Sequence, residues 1–263
     1  MGNLAYERLH ANLSALKLNT VETMMDNYLE IAAKEEKSVM DILDHLLDEE
    51  VHARNASAIE TRTKLAGFPV KKTIEEFDFS FQPSIDPAVI KELCTLRFLH
   101  NAECVSILGP PGVGKTHLAI GLGIEAIRHG FSAYYTTAAF LVDSLRKAEQ
   151  RDQLDRKLKT FAKYRLLIID EIGYIPMRRE EAHFFFQLVS KRYEKTATIF
   201  TSNKPYGEWG EVMGDPVIAA ATLDRILHHS TTISIKGESY RLRTRKRIGN
   251  QIQMAREMAG GEP

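Results

Sequence analysis

A short apolar run, Cys104-Val105-Ser106-Ile107-Leu108, passes directly into Gly109-Pro110-Pro111-Gly112-Val113-Gly114-Lys115-Thr116 and then into a helical stretch, Thr116–His129, with Gly130 placed to close it. Strand, glycine-rich loop and helix in that order constrain the fold more than any other feature of the chain. Glycines let successive backbone N–H groups turn towards one point, and the start of the helix adds partial positive charge, so the ligand that fits is a phosphate chain. Lys115 would place its ammonium on β- and γ-phosphates, and the Thr116 hydroxyl would ligate Mg²⁺. Residues Gly109, Pro110, Pro111, Gly112, Val113, Gly114, Lys115, Thr116 and His117 form the expected binding segment for ATP, with Mg²⁺ as its companion ion.

Four further runs read as strands: Ala133–Thr136, Leu166–Asp170, Thr198–Thr201 and Thr232–Ile235. Helical stretches separate them, which predicts an α/β fold with a parallel sheet and helices on both faces. Leu166-Leu167-Ile168-Ile169-Asp170-Glu171 ends in paired acids, the pattern of a Walker B strand. Asp170 would hold the Mg²⁺ water shell. Glu171, turned the other way by strand alternation, would polarise an attacking water. A base for water serves hydrolysis and is of no use to a kinase that transfers phosphate to a bound hydroxyl, so the pair favours an ATPase over a metabolic P-loop kinase.

The strand Thr198–Thr201 runs into Ser202-Asn203. An isolated Asn before Lys204-Pro205 is more often a turn residue; after the two preceding motifs Asn203 is read as orienting the water or touching the γ-phosphate. Arg225 and Arg241 have the fork and permanent charge that a developing γ-phosphate requires, and surface ion pairing is their ordinary alternative. His228 and His229 show no metal-ligand spacing and are read as solvated or packed, and Phe184-Phe185-Phe186 as core. Cys94 and Cys104 form no CxxC pair, which argues against a disulfide framework or structural zinc.

Residues 1–66 are helical in pattern, with Leu9, Leu13, Leu16, Met24, Met25, Tyr28, Leu29, Val39, Ile42, Leu43, Leu46 and Leu47 near i, i+3, i+4 spacing. They are expected to form a helical N-terminal domain for DNA binding or oligomerisation, followed by a linker at 67–80 and an ATPase domain at 81–263 with a basic C-terminal segment. The 263-residue chain has a formal net charge of zero, but seven Lys/Arg against twelve Asp/Glu in 1–66 leave the rest at +5. That excess concentrates in two stretches. Residues 141–165 include Arg146, Lys147, Arg151, Lys157 and Lys159, with acids interspersed as on a solvated, ion-paired helix face. Residues 236–247 include Arg243, Arg245, Lys246 and Arg247 against the single acid Glu238, a one-sidedness that suits the backbone of duplex DNA read without sequence specificity. No apolar run approaches membrane-spanning length and no signal peptide is evident, so the expectation is a cytoplasmic protein with no membrane partner.

The order of the Walker A loop, the Walker B acids, Ser202-Asn203, Leu223-Asp224-Arg225-Ile226-Leu227-His228-His229 and Gly237-Glu238-Ser239-Tyr240-Arg241-Leu242-Arg243 resembles the IstB family, transposition helper ATPases of bacterial insertion sequences. The resemblance spans the whole chain, including the connector Glu76-Phe77-Asp78-Phe79. It implies an AAA+ fold with Asn203 as sensor I, Arg225 as an arginine finger reaching a neighbouring subunit's ATP, and Arg241 at the sensor II position. It further implies ATP-dependent self-association on DNA, remodelling of that DNA, and recruitment of a transposase. Only 27 residues follow Lys236, which predicts a truncated lid and sets Arg241 apart from a lid-borne sensor. A DnaC-like helicase loader, with residues 1–66 gripping a helicase, is the alternative.

Overall fold

The computed structural model describes residues 2–240 and 243. The chain divides into two compact units, Met1–Thr61 and Arg62–Pro263. In the first, α1 (Gly2–Ala15), α2 (Asn19–Lys34) and the start of α3 (Val39–Leu65) enclose a small core of Leu13, Val21, Met25 and Leu46, flanked by Leu18, Met24, Tyr28 and Ile42. Leu9, Leu16, Leu29, Leu43 and Leu47, spaced for the same faces, are exposed instead. Three helices here have too few facing positions to cover every apolar stripe. The α2 N-terminus has no local side-chain cap; Glu50 of α3 supplies one, its Oε2 accepting from the N–H groups of Thr20 at 2.8 Å and Val21 at 3.2 Å while Arg54 Nε donates to its Oε1 at 2.8 Å.

The second unit begins with α4 (Pro87–Cys94) and α5 (Arg97–His100), and then alternates β1 (Cys104–Leu108), α6 (Lys115–Arg128), β2 (Ala133–Thr137), α7 (Ala138–Glu149), α8 (Leu154–Ala162), β3 (Leu166–Ile172), α9 (Arg179–Arg192) and β4 (Ala197–Ser202). A turn of 3₁₀ helix at Tyr206–Glu208 leads to α10 (Trp209–Met213), α11 (Pro216–His228) and β5 (Ser230–Ser234). All five expected strands form, and every pairing is parallel, in the order β2-β3-β4-β1-β5. β3 is buried along almost its whole length, as the unbroken Leu166–Ile169 run requires of a strand covered on both faces. Leu167 and Ile169 join the cluster formed with α7, α8 and α9, whereas Ile168 faces α6. Phe184 and Phe185 lie in that cluster, in agreement with a core role.

Residues 67–80, expected as a linker, lie along α6. Phe68 packs where a Cβ at Gly123 would stand, and Ile74 does the same at Gly121. Two helical glycines forgo roughly 1 kcal/mol each of helix propensity, offset by this close seating of the connector. No helix among the described residues is long and apolar enough to cross a membrane.

Candidate active site

Because β4 lies between β1 and β3, the loops leaving all three strands meet at the carboxyl edge of the sheet, where open α/β folds hold ligands. The loop after β1 turns through Gly112 at φ 82° and Gly114 at φ 103°. A Cβ at Gly114 would stand 2.6 Å from the Phe77 ring, and one at Gly112 would collide with the Ser239 side chain, so other residues there would be both strained and obstructed. Lys115 is buried, and its Nζ donates to the carbonyl oxygens of Gly109 at 2.7 Å and Pro110 at 2.8 Å.

Thr116 Oγ1 donates to Asp170, at 3.0 Å from Oδ2 and 3.1 Å from Oδ1. The Asp170 carboxylate is buried and accepts two further hydroxyls, from Tyr135 at 2.6 Å and from Thr201. Burial, followed by the bond to Asp170, pushes the Tyr135 phenol far above its ordinary range, so it donates and does not ionise. Thr201 Oγ1 also accepts the Glu171 N–H at 3.0 Å and thereby ties the end of β4 to both acids of β3.

Simple alternation does not place Glu171. The β3–β4 register shifts between Ile169 and Ile172, and Glu171 takes φ 63°, a costly conformation for a non-glycine residue. This bulge puts the exposed Glu171 side chain in the same cleft as Lys115, Thr116 and Thr201, where an uninterrupted strand would have turned it away. The cleft has a volume of about 310 Å³. Its floor is Gly112–His117, and its walls include Phe77, Phe81, Gln82 and Tyr240. His117 Nε2 lies 2.8 Å from the Thr73 carbonyl oxygen, which makes that nitrogen the protonated one, and the ring meets Phe77 edge-on at 5.2 Å. Segment 236–240 lies over the loop: the Tyr240 N–H donates to Gly112 O at 3.0 Å, and Gln82 Nε2 donates to Glu238 O at 3.2 Å.

Tyr135, Thr201, Phe77, Phe81, Gln82 and Tyr240 were not legible as site residues from motifs. For Thr201 and Tyr135 a signal did exist, since each is a hydroxyl near the carboxyl end of a strand neighbouring Walker B, but strand order was needed to read it.

Two expected residues do not line this cleft, one of them at the same edge of the sheet and the other at the opposite edge. Asn203 follows β4 and sits beside Gly173 after β3, its Oδ1 buried without a hydrogen-bond partner. Arg225 is on α11 at the opposite, amino edge of the sheet; it borders a cavity with Cys104 and Thr198, donates to Ala221 O at 3.1 Å, and stacks 4.5 Å above the Phe186 ring. Among the basic residues, Arg146 and Lys147 pair with Asp143 at 2.6 Å and 2.7 Å, and Lys159 pairs with Asp155 at 2.7 Å. Lys157 lies over the Phe161 ring, Arg151 is exposed, and Arg243 lies 5.0 Å over Phe81. Arg241, Arg245, Lys246 and Arg247 fall outside the described residues.

A phosphate loop whose lysine and threonine face a buried, hydroxyl-bound aspartate, on a parallel sheet of this strand order, defines an ATPase of the AAA+ class. Solved structures share the fold: DnaA from Aquifex aeolicus bound to AMPPCP has a TM-score of 0.54 at 20% identity over 71% of this chain and 57% of that one, so the chain spans just over half of that protein. DnaI has a TM-score of 0.53 at 22% identity over 63% of this chain and 92% of that one. The chain belongs to the family of IstB-like ATP binding proteins, whose profile matches residues 11–248. It is 48% identical to the ATP-binding protein of insertion sequence IS21 from Pseudomonas aeruginosa, over 92% of this chain and 91% of that protein. It is 46% identical to the corresponding protein of insertion sequence IS5376 from Geobacillus stearothermophilus, over 91% and 96%.

Proposed function

We propose that this ATPase assembles on duplex DNA when ATP is bound, deforms that DNA without reading its sequence, and recruits the transposase of its insertion sequence. The observation that carries the proposal is the separation of Arg225 from the cleft. No arginine among the described residues lines the cleft beside Lys115 and Glu171, while Arg225 stands at the far edge of the sheet. A finger so placed serves a neighbouring subunit's nucleotide, which makes hydrolysis a property of the assembly.

Within the cleft, Lys115 binds the β- and γ-phosphates and Glu171 polarises the attacking water. The Thr116 hydroxyl and the Asp170 carboxylate are hard oxygen donors already hydrogen-bonded to each other, the kind of set that holds Mg²⁺. That ion, when bound, neutralises charge on the phosphates. Asn203, with its buried and unpaired Oδ1, has an acceptor to offer the water as sensor I. DNA is held by the exposed Arg151, by Lys157, and by Arg243 with the basic residues that follow it. Arg146, Lys147 and Lys159 share their charge with acids of their own helices and contribute less.

The test is binding of a fluorescent duplex at several salt concentrations, with and without ATP, combined with mass photometry. Wild type should form ATP-dependent assemblies whose DNA affinity falls steeply with salt. Neutralising Arg243, Arg245, Lys246 and Arg247 together should flatten that slope by about one unit for each cation that no longer meets a phosphate. An unchanged slope together with ATP-independent monomers would refute the reading. Co-purification with the transposase, compared against a replicative helicase, separates transposition from helicase loading.

A further inference from the structure

Glu194, His228 and His229 do not line the nucleotide cleft and serve no step of hydrolysis, although the two histidines end the segment that carries Arg225. Glu194 lies just beyond α9, in the turn before β4, at φ 55°. His228 is the last residue of α11, and His229 follows it into β5. Glu194 Oε1 lies 3.8 Å from His228 Nδ1 and 3.7 Å from His229 Nε2, and the three ligand atoms all fall within 4.8 Å of one another. Among the described residues this is the one group of three such side chains that converges.

We propose that Glu194, His228 and His229 form a binding site for a divalent ion of the zinc class. Two imidazoles and one carboxylate are a recognised three-ligand set for Zn²⁺. Tetrahedral bonds of about 2.0–2.2 Å hold such donors roughly 3.3–3.5 Å apart, so the measured separations close onto an ion with small side-chain rotations. Nitrogen donors select this class over Mg²⁺, which takes oxygen ligands in near-octahedral geometry, so the site does not compete with Thr116 and Asp170 for their ion. The Tyr193 hydroxyl, 2.7 Å from His228 Nδ1, orients that ring and gives up its bond when the ion takes the nitrogen. All three ligands are exposed, which leaves the fourth position to water and the site open to entry from solvent.

The consequence reaches Arg225. It precedes His228 by three residues on α11, and it shares a cavity with Glu194 and His229. An ion at this site ties the turn before β4 to the end of α11, and so holds in place the helix end that carries the finger.

The experiment is calorimetric titration of the full chain with Zn²⁺, repeated with Co²⁺ to read coordination from its visible absorption. Wild type should bind one ion with micromolar affinity and show the intense bands of a tetrahedral Co²⁺ site. That step should disappear in His229→Ala and weaken at least tenfold in Glu194→Gln, while His183→Ala, at an exposed histidine elsewhere, leaves it intact. Mg²⁺ should not displace Co²⁺ from this site. Zn²⁺ should also raise the melting temperature of wild type and not of His229→Ala. If affinity and stoichiometry are the same in His228→Ala, His229→Ala and wild type, the ion is adventitious only and the proposal fails.

Discussion

The two edges of the sheet hold polar groups in opposite ways. At the carboxyl edge, three hydroxyls converge on one buried carboxylate, Asp170, and the neighbouring Glu171 is forced outwards by a strained bulge into a cleft. At the amino edge the most buried charge is Arg192. Among the described residues it has no carboxylate partner; its donors go to Thr198 Oγ1 at 2.9 Å, Phe161 O at 2.8 Å, Tyr164 O at 3.0 Å and Ala197 O. Burial lowers its pKa from the ordinary arginine value, the Cys104 thiol opposes that shift, and Arg165 adds to it. Arg192 is committed to closing the strand starts, whereas Arg225, on the same edge, is held by a single carbonyl and an aromatic face. Burial and hydrogen bonds from all three guanidinium nitrogens mark a structural arginine. A loosely held one at an edge is available to a partner.

Arg225→Ala should give the largest departure from this contrast. In assembled protein, ATP turnover should fall about a thousandfold with ATP affinity unchanged, as for loss of an arginine finger; equal turnover at every protein concentration would place the finger elsewhere. Next comes Glu171→Gln, for which hydrolysis should drop at least about a hundredfold while a fluorescent ATP analogue still binds, because a base and not a binding group is removed. Arg192→Leu should leave nucleotide affinity untouched yet destabilise the fold by about 3 kcal/mol, read as a lower urea midpoint with constant slope, since buried carbonyls lose their donors. If it abolished ATP binding instead, the two edges would not be separable.

The smallest effect belongs to Tyr135→Phe. One of three hydroxyls leaves Asp170, so hydrolysis should fall by about 1 kcal/mol, or fivefold. The same variant has a pH signature. The folded-state pKa of Tyr135 is raised above the ordinary 10.0, so its contribution is complete below pH 10 and is lost as the unfolded chain gains stability by ionising at higher pH. Denaturation at pH 9 and pH 11 should show a smaller alkaline loss in Tyr135→Phe than in wild type.

Much of the candidate site was legible because phosphate chemistry demands particular residues at short spacing: Gly112, Gly114, Lys115 and Thr116 follow one strand, and Asp170 and Glu171 end another. The strands themselves were readable from their apolar runs, to within a residue or two at most ends. Thr201 and Tyr135 were not, because a threonine or tyrosine near a strand end is common and only the order β2-β3-β4 brings these two to Asp170. The orientation of Glu171 was mispredicted in its cause, since alternation is a property of a regular strand and a bulge suspends it.

Residue order alone specifies the phosphate loop, the acidic pair, the alternation that builds a parallel sheet, and the split between an acidic N-terminal segment and a basic remainder. These are local patterns, set by backbone conformation and by residues adjacent in the chain. It takes the folded chain to show that Arg225 stands at the far edge from its own cleft, that Arg192 is enclosed by carbonyls, and that Glu194 meets His228 and His229. Each of those depends on residues far apart in the chain coming together, and the strand order that brings them together leaves no mark in any one stretch of sequence.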